Sequence, residues 1–231
     1  MSLDVARVRA LCFDVDGTLR DTDDRMVQLL STWLYPFRFA FKNKLPEEVS
    51  RRMVMAVETP GNFLNYLSDR LGIDGVINAV GNQFYRRGLF LNTDNMQMVP
   101  GTFEMLSKLK RRYRMAIVSA RGEWQTKIFL DKFELEPFFN VIATSQTCQH
   151  SKPYPDPILW VADQLDIPPD ACLMIGDTPI DIRAGRAAGA QTVGVLCGFG
   201  EQAELYQAGA DLILAGTADL TEVLLANPII E

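Results

Sequence analysis

Leu11-Cys12-Phe13-Asp14-Val15-Asp16-Gly17-Thr18-Leu19 is the stretch on which the reading of the whole chain turns. The strand-like run Val8 to Phe13 reads as a buried strand, and two carboxylates follow it two positions apart. Side chains alternate along an extended chain, so Asp14 and Asp16 can converge on one site at the strand's carboxyl end. Gly17 lets the chain turn sharply and leaves main-chain N–H groups exposed toward that site. Ligands of open α/β sheets bind at this edge. Taken alone, Asp-Val-Asp-Gly reads as a turn with a solvated acidic pair. The strands that follow change that reading.

Five more strand-like runs lie downstream: Met115 to Val118, Val141 to Ala143, Cys172 to Ile175, Thr192 to Val195 and Leu212 to Leu214. Helix-like stretches fall between or around them: Thr102 to Arg112, Trp124 to Lys132, Pro157 to Leu165, Asp181 to Ala188 and Glu201 to Ala208. Strands alternating with helices predict an α/β, Rossmann-like parallel sheet covered on both faces. Right-handed crossovers place every strand's carboxyl end on one edge.

Residues 21–98 break the alternation. They read as four helices, Asp23 to Phe41, Pro46 to Val57, Gly61 to Leu71 and Gly75 to Gly88, with no strand among them. An insertion of that size packs as a small bundle. The expected organisation is a core of residues 1–20 and 99–231 with an all-helical cap at 21–98. Hinges are expected at Leu19 to Asp21 and Met98 to Gly101.

Lys plus Arg number 23 and Asp plus Glu 29 in 231 residues, a net charge of −6. That balance disfavours nucleic acid and anionic membranes as partners. Four separated cysteines (Cys12, Cys148, Cys172, Cys197) and the single histidine, His150, offer no zinc motif. Three of the cysteines lie in strand-like apolar surroundings and read as reduced, buried thiols. Asp4 and the short apolar run before Asp14 do not form a signal peptide, and the longest greasy stretch, Met26 to Phe41, falls short of a bilayer span. The expectation is a cytoplasmic, soluble protein, monomeric or homodimeric.

Polar features recur at the predicted strand ends. Ser119 follows Met-Ala-Ile-Val, Lys152 stands in His150-Ser151-Lys152-Pro153, and Gly176-Asp177-Thr178-Pro179-Ile180-Asp181 follows Cys-Leu-Met-Ile. Singly these read as a helix cap at Ser119, a surface lysine, and turn or cap residues at Asp177 and Asp181. Jointly they bring a hydroxyl, an ammonium and carboxylates to one edge of one sheet.

In this order the motifs resemble those of the haloacid dehalogenase superfamily. Ser-Lys-Pro-Tyr-Pro-Asp-Pro-Ile and Asp-Ile-Arg-Ala-Gly-Arg-Ala-Ala-Gly-Ala are similar to its phosphoglycolate phosphatase and β-phosphoglucomutase branch, which inserts a helical cap after the first motif. The resemblance implies that Asp14 is the nucleophile of an aspartyl-phosphate mechanism. It makes Asp16 the general acid and base. Ser119, with the N–H of Ala120, and Lys152 hold the phosphoryl group, Lys152 also neutralising charge on the nucleophile. The implied cofactor is Mg²⁺, bound by Asp14, the main-chain carbonyl of Asp16 and Asp177. Asp181 then lies behind the ligands or orients Lys152. An acid at position 16 excludes dehalogenation, because a halide leaves without a proton.

The implied activity is hydrolysis of a small phosphorylated metabolite such as phosphoglycolate or a sugar phosphate. A β-phosphoglucomutase-like isomerase and a non-catalytic phosphometabolite-binding protein are the alternatives. Two departures from the resemblance stand out: Ala120 and Arg121 follow Ser119, and Arg20 takes a position that is commonly apolar in the family. Arg20 reads as a solvated arginine near a hinge, or as a substrate-facing cation. In the cap, Thr59 and Asn62 are candidate substrate contacts, or an N-cap and an ordinary turn. The series Trp33, Tyr35, Phe37, Phe39 and Phe41 reads as cap packing. His150 reads as a surface loop residue.

Overall fold

The computed structural model describes residues 3–21, 32, 35, 36 and 96–226. The chain divides into two compact units, Met1–Asp21 with Gln97–Glu231, and Thr22–Met96. The four expected cap helices, the aromatic series apart from Tyr35, and Thr59 and Asn62 lie outside the described residues.

The larger unit is built on six parallel strands: β1 (Ala10–Phe13), β4 (Arg114–Val118), β5 (Val141–Ala143), β6 (Cys172–Gly176), β7 (Gln191–Val195) and β8 (Leu212–Leu214). They lie in the order β5-β4-β1-β6-β7-β8. Cys12 of β1 faces Ala116 on one side and Met174 on the other. The chain runs outward from β1 through β4 to β5, then crosses to β6 on the opposite side of β1. β1 therefore marks the point where strand order reverses, and ligands of doubly wound sheets bind in the crevice there.

Six helices among the described residues cover the sheet: α1 (Thr102–Leu109), α2 (Glu123–Lys132), α3 (Asp156–Leu165), α4 (Pro179–Ala187), α5 (Gln202–Ala208) and α6 (Leu220–Leu225). Alternation along the strands sorts the core into two layers. Leu11, Phe13, Met115, Ile117, Leu173 and Ile175 turn to one face, where they meet Met105, Leu106 and Leu109 of α1 and Leu220 and Leu224 of α6. Ala10, Cys12, Ala116, Val118, Cys172 and Met174 turn to the other, against Ile158, Val161 and Leu165 of α3 and Ala184 of α4. Each large side chain buried this way contributes about 1.5–3 kcal/mol. That burial fixes the register of β1, β4 and β6, and with it the relative placement of their carboxyl ends.

Three elements were not anticipated. α6 follows a 3₁₀ turn at Thr217–Asp219. β2 (Arg20–Asp21) and β3 (Gln97–Met98) pair antiparallel, with Arg20 facing Met98 and Asp21 facing Gln97. The two stretches expected to be hinges thus begin with a short ladder that ties them to one another. All four cysteines are free. Cys197, expected in strand-like surroundings, sits beyond β7 and is half-buried, its thiol donating to the carbonyl of Gly17 at 3.3 Å.

Candidate active site

The turn after β1 is closed by main-chain hydrogen bonds. Leu19 and Arg20 N–H donate to the carbonyl of Val15 at 2.9 and 2.8 Å, and Gly17 N–H donates to that of Arg20 at 2.9 Å. Gly17 has φ +71°, in the left-handed region where a side chain is strained. A Cβ there would also overlap the carboxylate of Asp177. The turn brings Arg20 back beside Asp16.

Asp14 begins where β1 ends, its N–H donating to Ile175 of β6 at 2.9 Å. Lys152 arrives from the loop between β5 and α3. Its Nζ donates to Oδ1 of Asp14 and to Oδ1 of Asp181, both at 2.6 Å. Lys152, Asp14, Asp177 and Asp181 are all buried. One oxygen from each of Asp14, Asp177 and Asp181 lies within 4.8 Å of the other two. Residues 138 positions apart in sequence thus meet at one point.

The three carboxylates differ in what remains free on them. Oδ2 of Asp181 accepts from the N–H and hydroxyl of Thr178, at 3.1 and 2.6 Å, in the capping box that opens α4. With Lys152 on Oδ1, both of its oxygens are engaged. Asp177 accepts on Oδ2 from the main-chain N–H of Phe199 at 2.8 Å, while its buried Oδ1 has no partner among the described residues. Gly198 and Gly200 pack so closely that a Cβ at either would overlap Asp177.

Charge in the cluster is unbalanced toward the negative. Burial pushes the Asp14 carboxyl up to about 7, against the pull of Lys152 and helped by Asp181 and Asp16. Burial, with Asp181 and Asp14, pushes Asp177 well up as well. Burial disfavours the Lys152 charge, yet Asp14 and Asp181 outweigh it and hold the ammonium firmly protonated. An orphaned buried oxygen among three carboxylates and one ammonium suits a small, hard divalent cation such as Mg²⁺. The residues present fit the cofactor implied by the sequence.

Asp16 has different company. Nη1 of Arg20 stands 2.9 Å from its Oδ1, and Nε of Arg121 pairs with its Oδ2. Burial pushes this carboxyl up, but Arg121 and Arg20 outweigh that and hold it below the ordinary carboxylate range. Arg20 is therefore no solvated arginine: its side chain is 13% exposed and ion-paired. Ser119, at the end of β4, is buried, donates its N–H to Ala143 at 2.9 Å and accepts from Arg121 N–H on Oγ at 3.1 Å. Ala120, half-buried, follows it in the same turn. His150 is a partly exposed loop residue whose Nδ1 lies 3.0 Å from Oδ1 of Asp156.

Sequence reasoning missed two parts of this arrangement, the Gly198-Phe199-Gly200 collar around Asp177 and the arginine pair on Asp16, whereas the cap reading of Asp181 is met by its bonds to Thr178. A Gly-Phe-Gly segment separated by two residues from the predicted strand Thr192 to Val195 was the available signal for the first.

A doubly wound parallel sheet with clustered aspartates and a buried lysine at its switch point defines a class of α/β hydrolase. The family model described as haloacid dehalogenase-like hydrolase matches residues 11–195, and this chain belongs to that family. Pyrophosphatase PpaX of Bacillus pumilus (strain SAFR-032) is 26% identical over 225 residues, covering 95% of this chain and 98% of that protein. The solved structure of a hydrolase from Pseudomonas syringae superposes with a TM-score of 0.67 at 26% identity, covering 95% of this chain and 99% of that one. A subfamily IA HAD-superfamily hydrolase from Geobacter sulfurreducens shares the fold with a TM-score of 0.62 at 19% identity, covering 97% of this chain and all of that one. Among the described residues no helix is long and apolar enough to cross a membrane.

Proposed function

We propose that this chain is a Mg²⁺-dependent hydrolase of small phosphorylated compounds, working through a phosphoryl group carried on Asp14. The observation that carries the reading is Lys152 Nζ held at 2.6 Å by both Asp14 and Asp181, beside the unpartnered Oδ1 of Asp177. Mg²⁺ would be held by Asp14, Asp177 and the main-chain carbonyl of Asp16. When bound, it supplies positive charge to the phosphoryl oxygens and the nucleophile.

A carboxylate oxygen of Asp14 attacks phosphorus, forming an O–P bond as the bond to the leaving oxygen breaks. Asp16, ionised at rest beside Arg121 and Arg20, must first take up a proton from solvent or from the arriving phosphate monoanion, and then passes it to the leaving oxygen. Asp16 then takes a proton from the attacking water, which displaces the Asp14 carboxylate and yields inorganic phosphate. Lys152 and Ser119, with the N–H of Ala120, hold the transferring group, and Asp181 positions Lys152. Asp16 speaks against dehalogenation, since halide departure requires no acid.

Phosphoglycolate and sugar phosphates are candidate substrates, and the relatives named pyrophosphatase add inorganic diphosphate to the same panel. The test is phosphate release from p-nitrophenyl phosphate and this panel by the purified chain with Mg²⁺. Turnover abolished by EDTA and by Asp14→Asn supports the reading. Tight ligand binding without turnover would instead make the chain a phosphometabolite-binding protein.

A further inference from the structure

The turn that carries Asp16 bonds much of its own main chain, but not all of it. Among the described residues no main-chain N–H reaches the carbonyl of Gly17 or of Thr18. Both residues are buried, and a buried carbonyl needs a donor. The donors come from two distant segments. The thiol of Cys197, beyond β7, donates to the carbonyl of Gly17 at 3.3 Å. The hydroxyl of Thr217, beyond β8, donates to that of Thr18 at 2.6 Å across 199 positions.

Thr217 is the stronger anchor. Its hydroxyl bond is short for its kind, whereas a thiol is a weak donor. Thr217 is wholly buried, and the turn that presents it is held independently of Thr18. It opens the 3₁₀ turn Thr217–Asp219, where the N–H of Gly216 donates to Oδ2 of Asp219 at 2.9 Å. Ala218 lies against Gly101, and Leu220 and Leu224 bury the following helix in the core.

Thr217 therefore bears on Thr18, and Asp177 on its neighbour Gly17, where a Cβ would overlap the carboxylate. Two residues further on, the same fold of the chain returns the guanidinium of Arg20 to Asp16. Releasing the carbonyl of Thr18 loosens the backbone that aligns the acid. Small displacements of a catalytic group are costly, up to about 10²-fold for about 1 Å.

Resting on the acid role given above to Asp16, we propose that Thr217 is a positioning residue for proton transfer. Its hydroxyl, acting through the carbonyl of Thr18, sets where Asp16 stands when the leaving oxygen takes its proton. Cys197 supports it through Gly17.

A misplaced acid costs most where the leaving group most needs the proton. Phenolate departs as a stronger base than p-nitrophenolate, whose nitro group spreads the charge. Because kcat/KM covers the steps through departure of the leaving group, the ratio of kcat/KM for phenyl phosphate to that for p-nitrophenyl phosphate reads the alignment of Asp16.

The test measures this ratio, with Mg²⁺, in the full chain and in Thr217→Val, Thr217→Ser and Thr217→Cys. Thr217→Val keeps the shape and loses the donor. It should lower kcat/KM for phenyl phosphate by about 10–100-fold, and for p-nitrophenyl phosphate by less. Thr217→Ser keeps the hydroxyl and should restore the ratio even where its Tm stays low. Thr217→Cys, a weak donor, should fall between them. Hydrogen–deuterium exchange at the amides of Leu19 and Arg20 should quicken in Thr217→Val and not in Thr217→Ser.

An unchanged ratio or unchanged exchange in Thr217→Val overturns the proposal, because the hydroxyl then only stabilises the fold. Equal ratios in Thr217→Ser and Thr217→Cys overturn it even where Thr217→Val does not fold. Failure of the unaltered protein to hydrolyse either ester removes the phosphatase reading, and this inference with it. Hydrolysis of both esters with one ratio throughout the series removes this inference alone.

Discussion

The main-chain N–H of Phe199 donates to Oδ2 of Asp177 at 2.8 Å, and this bond selects Oδ1 as the oxygen left for a ligand. Gly198, beside it, leaves no space for a Cβ. Gly198→Ala should turn the carboxylate out of line and raise the Mg²⁺ concentration needed for half-maximal activity by about 10–100-fold. A Mg²⁺ titration of phosphate release checks this, with circular dichroism to show that the fold is retained.

Binding of Mg²⁺ to the folded chain should raise Tm. At about a hundredfold excess over Kd the gain is about 2.7 kcal/mol. EDTA should reverse it, and Asp177→Asn should abolish it. Without metal, Asp177→Asn should melt above the unaltered protein, because it removes one of three crowded buried carboxylates. Thermal melts with and without the ion test both statements.

Lys152 is the one ammonium bonded to Asp14 and Asp181 among the described residues. Lys152→Ala should reduce kcat by about 10²–10³-fold and destabilise the fold by about 3–5 kcal/mol, as for a broken buried ion pair. Asp181→Asn keeps the lysine on Asp14 but weakens its alignment, so its kcat should fall less. Urea melts together with kinetics of the two variants rank these effects.

Tyr113 supplies an alkaline signature remote from the chemistry. Its hydroxyl donates to the carbonyl of Leu224 at 3.1 Å, and burial raises its pKa despite Arg112 nearby. The unfolded chain then loses this proton at a lower pH, about 10, than the folded chain does. The stability that Tyr113 adds is complete below that pH and is lost as pH climbs toward the folded value. Tyr113→Phe should flatten this part of the stability–pH curve, measured by denaturant melts.

Much of this was legible because it depends on side-chain type and order. Leu11, Phe13, Ile117 and Ile175 announce buried strands, Asp14 and Asp177 occupy the ends that the alternation predicts, and Lys152 stands in the loop that follows β5. What escaped depends on backbone or on long-range partners. Phe199 acts through a main-chain N–H, which its side chain does not advertise. Arg20 looked solvated because the turn from Val15 that folds it onto Asp16 is written in hydrogen bonds, and because Arg121 comes from a distant loop. α6 is six residues long, short enough for its apolar pattern to pass as a tail.

The ladder of β2 and β3 also bears on how this protein can be taken apart. Asp21 and Gln97 face each other as the last antiparallel pair before the chain departs for residues 22–96. Two residues of the Asn-Gly kind suffice to join such ends as a β-hairpin. The intervening segment can thus be excised, or exchanged for another, at a seam the backbone already supplies, with Asp14, Asp16, Lys152, Asp177 and Asp181 all remaining on the sheet-bearing unit.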